Sequence, residues 1–144
     1  MSRTKNSPDG LAFERLLQAQ IALLGKDRQH LLRHYGEADR ESFHKLIDCY
    51  VHMLQACLDR NEAGGMLRPP FVLIGSKVHI LYFGERRLST LTICYPDEAD
   101  PASGKHSFLS EIGRQLLMRR ERQYCAVKSG DTVKYGLIRK IEWP

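Results

Sequence analysis

The sequence lacks several features that would place it in common functional classes. No apolar run approaches the roughly 18 residues that a membrane-spanning helix needs. The residues that follow Met1 contain no apolar segment of the kind found in secretory signals, so we expect a cytoplasmic protein. No G-x-x-x-x-G-K-[ST] loop is present, so the tetrapeptide Asp97-Glu98-Ala99-Asp100 does not indicate an ATPase.

Metal-binding and disulfide signatures are also missing. The four cysteines, at positions 49, 57, 94 and 125, have spacings that match no metal motif, and we expect buried free thiols. His30 and His34 lie one helical turn apart, but no H-E-x-x-H sequence or cysteine pair completes a site. We therefore expect no metal of the protein's own and no intrinsic cofactor.

What the chain does have is enough apolar content for a core and an excess of positive charge. Hydrophobic residues make up 42% of its 144 residues, and the formal net charge is +5. Such a charge favours an anionic partner such as nucleic acid, but it says nothing about the fold.

The first half of the sequence predicts two helices. Ser7-Pro8-Asp9 is a helix start, and Leu17, Leu24 and Leu31 then recur every seven residues up to a stop at Tyr35-Gly36. A second helix is predicted from an N-cap at Asp39, and its apolar residues again fall on one face. Two apolar stripes joined by a short polar turn predict an antiparallel helical hairpin, or coiled coil, over residues 1–66.

The second half changes to β-branched and aromatic runs. Strands are predicted over residues 72–74, 78–83, 88–95, 123–128 and 132–143, with a helix from Ser110 to Met118. The fold class is therefore α+β, with residues 67–144 forming a small antiparallel sheet domain that contains one helix.

Three segments of this second half carry a family resemblance. They are V-L-I-G-S-K-V-H-I from Val72, I-C-Y-P-D-E-A-D-P-A-S-G-K-H-S-F from Ile93, and K-S-G-D-T-V-K-Y-G-L-I-R-K-I-E-W from Lys128. In this order they resemble the C-terminal domain of the bacterial transcript cleavage factors GreA and GreB. The resemblance implies an FKBP-like domain and an accessory factor of bacterial RNA polymerase that is not an enzyme itself and takes no small-molecule substrate.

The resemblance also implies roles for two acidic segments. The hairpin tip carries Glu37, Asp39 and Glu41, which could cap a helix or, as in the family, donate oxygen ligands to a Mg²⁺ ion held by the polymerase. The family's two tip acids are three residues apart, whereas Glu37 and Asp39 are two apart. The second acidic segment is the loop from Asp97 to Lys105 with the Ser107–Ser110 stretch that follows it. Here the resemblance implies polymerase-docking residues, namely Asp97, Glu98, Asp100, Ser107, Phe108 and Ser110.

Basic residues on the hairpin have two interpretations. They form ordinary solvated faces, or they contact nascent RNA as the family does; the candidates are Lys26, Arg28, Arg33 and Lys45.

Two elongation functions therefore remain open. The first is stimulation of transcript cleavage, and the alternative is competition for the polymerase channel without cleavage, as in the short Rnk-type regulators. Prolyl isomerase activity is a weaker third class, because it needs an aromatic cup and this domain offers few aromatics beyond Tyr82, Phe83 and Tyr95.

Overall fold

The computed structural model describes residues 8–62 and 71–144. The chain divides into two compact units, Met1–Pro69 and Pro70–Pro144. The boundary predicted between residues 66 and 67 and the helix stop predicted at Gly64-Gly65 lie outside the described residues, as does the N-cap predicted at Ser7.

Three helices make up the described part of the first unit. They are α1 (Pro8–Lys26), the single turn α2 (Arg28–Leu31) and α3 (Glu37–Glu62). Contacts between α1–α2 and α3 run in opposite order along the two arms, since Gln20 meets Tyr50 while Arg28 meets Asp48. The arms are therefore antiparallel, as predicted. None of the described helices combines the length and hydropathy needed to cross a bilayer.

A seam of buried side chains joins the two long helices. Along α1 the buried positions are spaced by four and three residues, and the same rhythm continues along α3. The seam residues are Phe13, Leu17, Gln20 and Leu24 on α1, and Phe43, Ile47, Tyr50, Leu54 and Cys57 on α3. The predicted leucine repeat is therefore confirmed, and its neighbours Phe13 and Gln20 extend it.

One polar pair lies inside this seam. The Tyr50 hydroxyl donates to Gln20 Oε1 at 2.5 Å, and both side chains are buried. A buried polar group is tolerated when it has a hydrogen-bond partner, and it then favours one register over others. We infer that this pair helps to set the alignment of α1 against α3.

Two sequence-based predictions about the hairpin were wrong. The first arm was predicted as one helix to Tyr35, but α1 ends at Lys26 and Asp27 separates it from α2. The side chain of Arg28 explains the break in part, because its Nε donates to the Leu24 carbonyl at 3.2 Å and competes for helix bonding there.

The second error concerns where α3 begins. Its first residue is Glu37, and the Gly36 carbonyl accepts from the Arg40 amide at 2.8 Å. Gly36 therefore occupies the capping position, which glycine tolerates well. Asp39 lies inside the first turn and is not the N-cap.

The second unit is a five-stranded sheet with one helix. Its elements are β1 (Lys77–Tyr82), β2 (Ser89–Cys94), β3 (Lys105–Ser107), α4 (Glu111–Leu116), β4 (Tyr124–Ser129) and β5 (Thr132–Glu142), and the strand order is β3-β2-β1-β5-β4. The α+β class is confirmed. No strand forms at residues 72–74, where one was predicted. Val72 exchanges backbone hydrogen bonds with Met118 and Arg119, and the Leu73 carbonyl accepts from the Ser76 amide in a local turn. Phe71 forms an isolated bridge with Arg120.

The sheet is mostly antiparallel, as predicted, with one parallel pair that the sequence did not indicate. Strand β3 pairs with β2 in parallel, and all the other pairs are antiparallel. The two 3-10 turns Pro96–Glu98 and Pro101–Ser103 return the chain to the middle of β2 at Thr92, so β3 runs in the same direction along its second half. The segment that carries the Asp97–Asp100 acids is therefore a crossover.

Helix α4 is held close to β3. The Ser110 side chain caps it by accepting from the Gly113 amide at 3.0 Å. Gly113 lies so close to the Ser107 carbonyl that a Cβ there would overlap it. The core lies between α4 and one face of the sheet, and Phe108, Leu116 and Ile138 are fully buried in it.

The seam predicts a sharp difference between two leucines of α1. Leu24 is fully buried, whereas Leu11 is 38% exposed. Leu24→Asp should lower the free energy of unfolding by about 2–5 kcal/mol, because it buries a charge without a partner. Leu11→Asp, the matched control, should cost about 0.5 kcal/mol or less. Equal effects of the two substitutions in urea unfolding would show that the seam is assigned wrongly.

Candidate functional site

The acidic crossover is an exposed and well-braced loop. Asp97, Glu98 and Asp100 are all solvent-exposed, and the first two lie in the 3-10 turn that follows Tyr95. The amide of Asp100 donates to the Lys105 carbonyl at 2.9 Å, and the Lys105 amide donates back to the Asp100 carbonyl at 3.0 Å. The loop therefore closes on itself and presents its carboxylates outward.

A second turn stabilises the far side of this loop. Ser103 Oγ donates to Asp100 Oδ2 at 2.6 Å, and Gly104 adopts a left-handed φ of +78°. A residue other than glycine would be strained in that conformation. Asp100 is therefore engaged in the turn, and Asp97 and Glu98 are exposed candidates for contact with a partner.

The other predicted docking residues support the structure around the loop and do not form its exposed surface. Phe108 is fully buried, Ser107 is buried with its Oγ accepting from the Leu109 amide at 3.1 Å, and Ser110 caps α4. Phe108 is thus part of the core of the unit and not of the loop's exposed surface. Similarity of sequence located the segment, but it could not separate surface residues from core residues.

Tyr95 packs against Phe108 at the start of the loop, a role that the sequence analysis did not assign to it. Its ring meets that of Phe108 edge-on with centroids 6.1 Å apart. Burial, reinforced by the nearby Glu98 carboxylate, raises the pKa of Tyr95 to about 12. In the sequence, the signal for this role was the position of an aromatic residue directly between a β-strand and the acidic segment.

The three tip acids do not point in one direction. All three are exposed near the start of α3. Since each helical residue turns by about 100°, Glu37 and Glu41 share a face, while Asp39 is rotated by about 200° from Glu37. An open cleft beside the turn is lined by Glu37 and Glu41 and not by Asp39; its other lining residues are Gln29, Leu32, Arg33, Arg40, His44 and Lys45.

The carboxylates of this cleft lie among cations. Glu41 approaches Lys45 at 3.8 Å in an exposed pair, which contributes little to stability but balances charge. Within the part of the chain that the structure describes, no three histidine, cysteine, aspartate or glutamate side chains form a group that could hold a metal ion.

The four predicted RNA-contact residues differ in whether their charged groups already bond other residues of the protein. Arg28 Nη1 donates to Asp48 Oδ1 at 2.5 Å, so its guanidinium links α2 to α3. Arg33 donates to the His30 carbonyl at 2.5 Å, while Lys26 and Lys45 extend into solvent. Contact with RNA stays a prediction for all four, with Arg28 committed to the hairpin in the free protein.

The aromatic cup of a prolyl isomerase and reactive thiols at the buried cysteines find no support among the described residues. Tyr82 is buried at the end of β1, Phe83 is exposed in the turn that follows, and Tyr95 packs on Phe108, so these three do not form an aromatic cup. Burial raises the pKa values of the thiols of Cys57, Cys94 and Cys125, which keeps them protonated near neutral pH.

Comparison with known proteins identifies the family. Residues 68–142, more than half of the chain, match the family model described as the C-terminal domain of transcription elongation factors GreA and GreB. The chain belongs to the GreA/GreB family of transcription elongation factors. The matched range includes the acidic crossover and the whole sheet of this Gre-family protein.

Individual relatives agree with that assignment. The transcription elongation factor GreA of Desulfovibrio desulfuricans is 44% identical over 50 residues, an alignment that covers 35% of this chain and 31% of that protein. The alignment thus spans about a third of that relative's length.

One solved structure agrees at the level of the fold, and a second is reported beside it. A GreA/GreB factor from Nitrosomonas europaea is similar at a TM-score of 0.55 with 22% identity, covering 85% of this chain and 94% of that one. The Gfh1 protein of Thermus thermophilus, a GreA factor homologue, is 18% identical at a TM-score of 0.46, covering 92% of this chain and 94% of that one.

The position of Tyr95 predicts a pH dependence. The folded protein retains its hydroxyl proton between pH 10 and 12, where an ordinary tyrosine loses it. Stability contributed by this group is present below pH 10 and is lost as the pH rises towards 12. Tyr95→Phe should therefore make the stability of the C-terminal unit fall less steeply over this range. Identical alkaline slopes for the two proteins in urea unfolding would contradict the buried position of Tyr95.

Proposed function

We propose that this Gre-family protein binds bacterial RNA polymerase as an accessory regulator of elongation. In this proposal the C-terminal unit docks beside the secondary channel and the hairpin tip enters it. The observation that carries the proposal is the combination, in one chain, of a Gre C-terminal domain and a helical hairpin whose turn exposes carboxylates. The braced acidic crossover supplies a preformed anionic surface for docking.

The geometry of the tip favours Glu37 and Glu41 as the pair of acids that acts at the polymerase. Glu37 and Glu41 share a face of α3 and line the same cleft. Carboxylate oxygens are ligands that Mg²⁺ accepts readily, and one or two of them commonly complete a site whose other ligands lie elsewhere. We infer that these two residues, rather than Asp39, act on the ion that the polymerase holds and thereby stimulate cleavage of backtracked transcripts.

Competition for the channel without cleavage is the second candidate. It is favoured by a specific observation, namely that Glu37 and Asp39 diverge around the helix while Glu41 lies close to Lys45. A tip of this kind could occupy the channel without completing the metal site. Both candidates require polymerase binding and differ only in the chemistry of the tip.

Polymerase binding is tested through the acidic crossover. Replacing both Asp97→Asn and Glu98→Gln in the full chain should weaken binding to core RNA polymerase about fivefold, close to 1 kcal/mol. The matched control is Asp131→Asn, an exposed acid in the turn between β4 and β5. The measurement is a binding titration with immobilised polymerase. Equal affinity for the crossover variant and wild type would move the docking surface elsewhere, and absence of binding by the wild type would overturn the proposed function.

The tip is tested on a backtracked elongation complex. Glu37→Gln combined with Glu41→Gln should reduce the rate of transcript shortening about tenfold or more, as expected when metal-orienting groups are removed. Asp39→Asn removes one charge from the opposite face and should leave the rate nearly unchanged.

The opposite ranking of these variants would show that Asp39 is the functional acid. Wild-type protein that binds polymerase but leaves backtracked transcripts intact would select the competitor function. Polymerase affinity, measured in parallel, separates a failure of the tip from a failure of docking.

A further inference from the structure

The exposed aromatic side chains of this protein lie together. Phe83, Tyr124 and Tyr135 are 61%, 69% and 61% exposed, and no other aromatic side chain described by the structure is exposed to that degree. Isolated apolar residues on a surface are normal, but three bulky rings on a single face form a patch. The rings of Phe83 and Tyr124 already meet, with centroids 6.0 Å apart.

Strand register places all three rings on the outer face of the sheet, opposite α4. Tyr124 pairs with Leu137, which in turn pairs with Leu81 of β1, so these side chains share a face. Tyr135 lies two residues from Leu137 on the same strand, and Phe83 follows Leu81 at the same interval. The buried residues of these strands alternate with them and point the other way.

The same face carries an excess of positive charge. Lys128, Lys140 and Lys77 occupy outward positions along β4, β5 and β1, and all three are exposed. Two carboxylates lie at the Lys140 end. Glu142 bonds His79 Nε2 at 2.6 Å, and Glu121 Oε1 accepts from the Ile141 amide at 2.9 Å. The hydrogen bond with His79, together with the nearby lysines, lowers the pKa of Glu142 below its usual value. Cations therefore flank the aromatic patch at both ends.

We infer that this outer sheet face binds single-stranded RNA, with unpaired bases stacking on Phe83, Tyr124 and Tyr135 and phosphates near the flanking lysines. Aromatic rings on an open sheet can reach bases only where these are unpaired, which excludes duplexes. A protein partner would also cover the rings, but it would have no general need for lysines on both sides. The choice of RNA over DNA rests on the proposed function, which places the protein beside a transcript.

The test uses the full chain without polymerase, so it succeeds or fails independently of polymerase binding. The probe is a fluorescently labelled 12-nucleotide single-stranded RNA of mixed sequence, followed by anisotropy. Tyr124→Ala should weaken binding about fivefold or more, whereas Tyr124→Phe, which keeps the ring, should bind like wild type. Leu88→Ala, a control at a half-exposed apolar residue outside the strands, should have no effect.

Salt dependence supplies a second readout. Lys140→Gln should lower the slope of log affinity against log salt by about 0.7, the contribution of one phosphate contact on a single strand. Thermal melting of each variant confirms that the sheet remains folded.

Several results would overturn the inference. These are no RNA binding by wild type at low salt, equal binding by Tyr124→Ala and wild type, preference for duplex RNA, or equal affinity for single-stranded DNA of the same sequence. Loss of polymerase capture by Tyr124→Ala without any RNA binding would instead make this face a protein-docking surface.

Discussion

A single row of buried side chains holds the hairpin together, and everything proposed for its tip depends on that row. A two-helix hairpin buries little surface per residue, so each seam position carries a large share of the stability. The seam alternates four- and three-residue steps on both helices and includes the hydrogen-bonded pair Gln20 and Tyr50. Glu37 and Glu41 share a face through the phase of α3 itself, and the register of the two arms places that face against the turn residues that complete the cleft. Loss of register would displace Gln29, Leu32 and Arg33 from these carboxylates and disrupt the cleft.

The second unit holds a charged loop rigid while its charges remain exposed to solvent. Backbone bonds between Asp100 and Lys105 close the loop, and Tyr95 fixes its start against Phe108. Gly113 lets α4 approach β3 closely enough for Ser110 to cap the helix. These contacts use small or buried residues, so the acids themselves remain in water, where they cost nothing to keep charged. Binding by such a loop requires little ordering, which favours affinity.

Local patterns in the sequence predicted the local structure well. The seven-residue leucine repeat predicted the seam, and alternating β-branched residues predicted four of the five strands near their observed ends. Features that depend on distant contacts were missed. The parallel pairing of β3 and the burial of Phe108 follow from packing against other segments of the chain. The break at Asp27 is a local feature that the apolar pattern does not encode, since a side-chain to backbone bond of Arg28 accompanies it. Asp39 was misplaced for a related reason, since a good capping residue inside a first turn has the same composition as one at the cap. The candidate acids were found by resemblance, but their directions needed the helix phase.

The central claim is that the hairpin tip of this Gre-family protein enters the polymerase, and a site-specific crosslink tests it most directly. A photoreactive amino acid in place of Ala38, an exposed tip residue, should crosslink to polymerase residues that line the interior of the secondary channel when the full chain is bound to an elongation complex. The same group in place of Ala102, in the acidic crossover, provides the reference for docking at the rim. Crosslinks from position 38 confined to the outer surface of the polymerase, with position 102 crosslinking efficiently, would contradict entry of the tip into the channel.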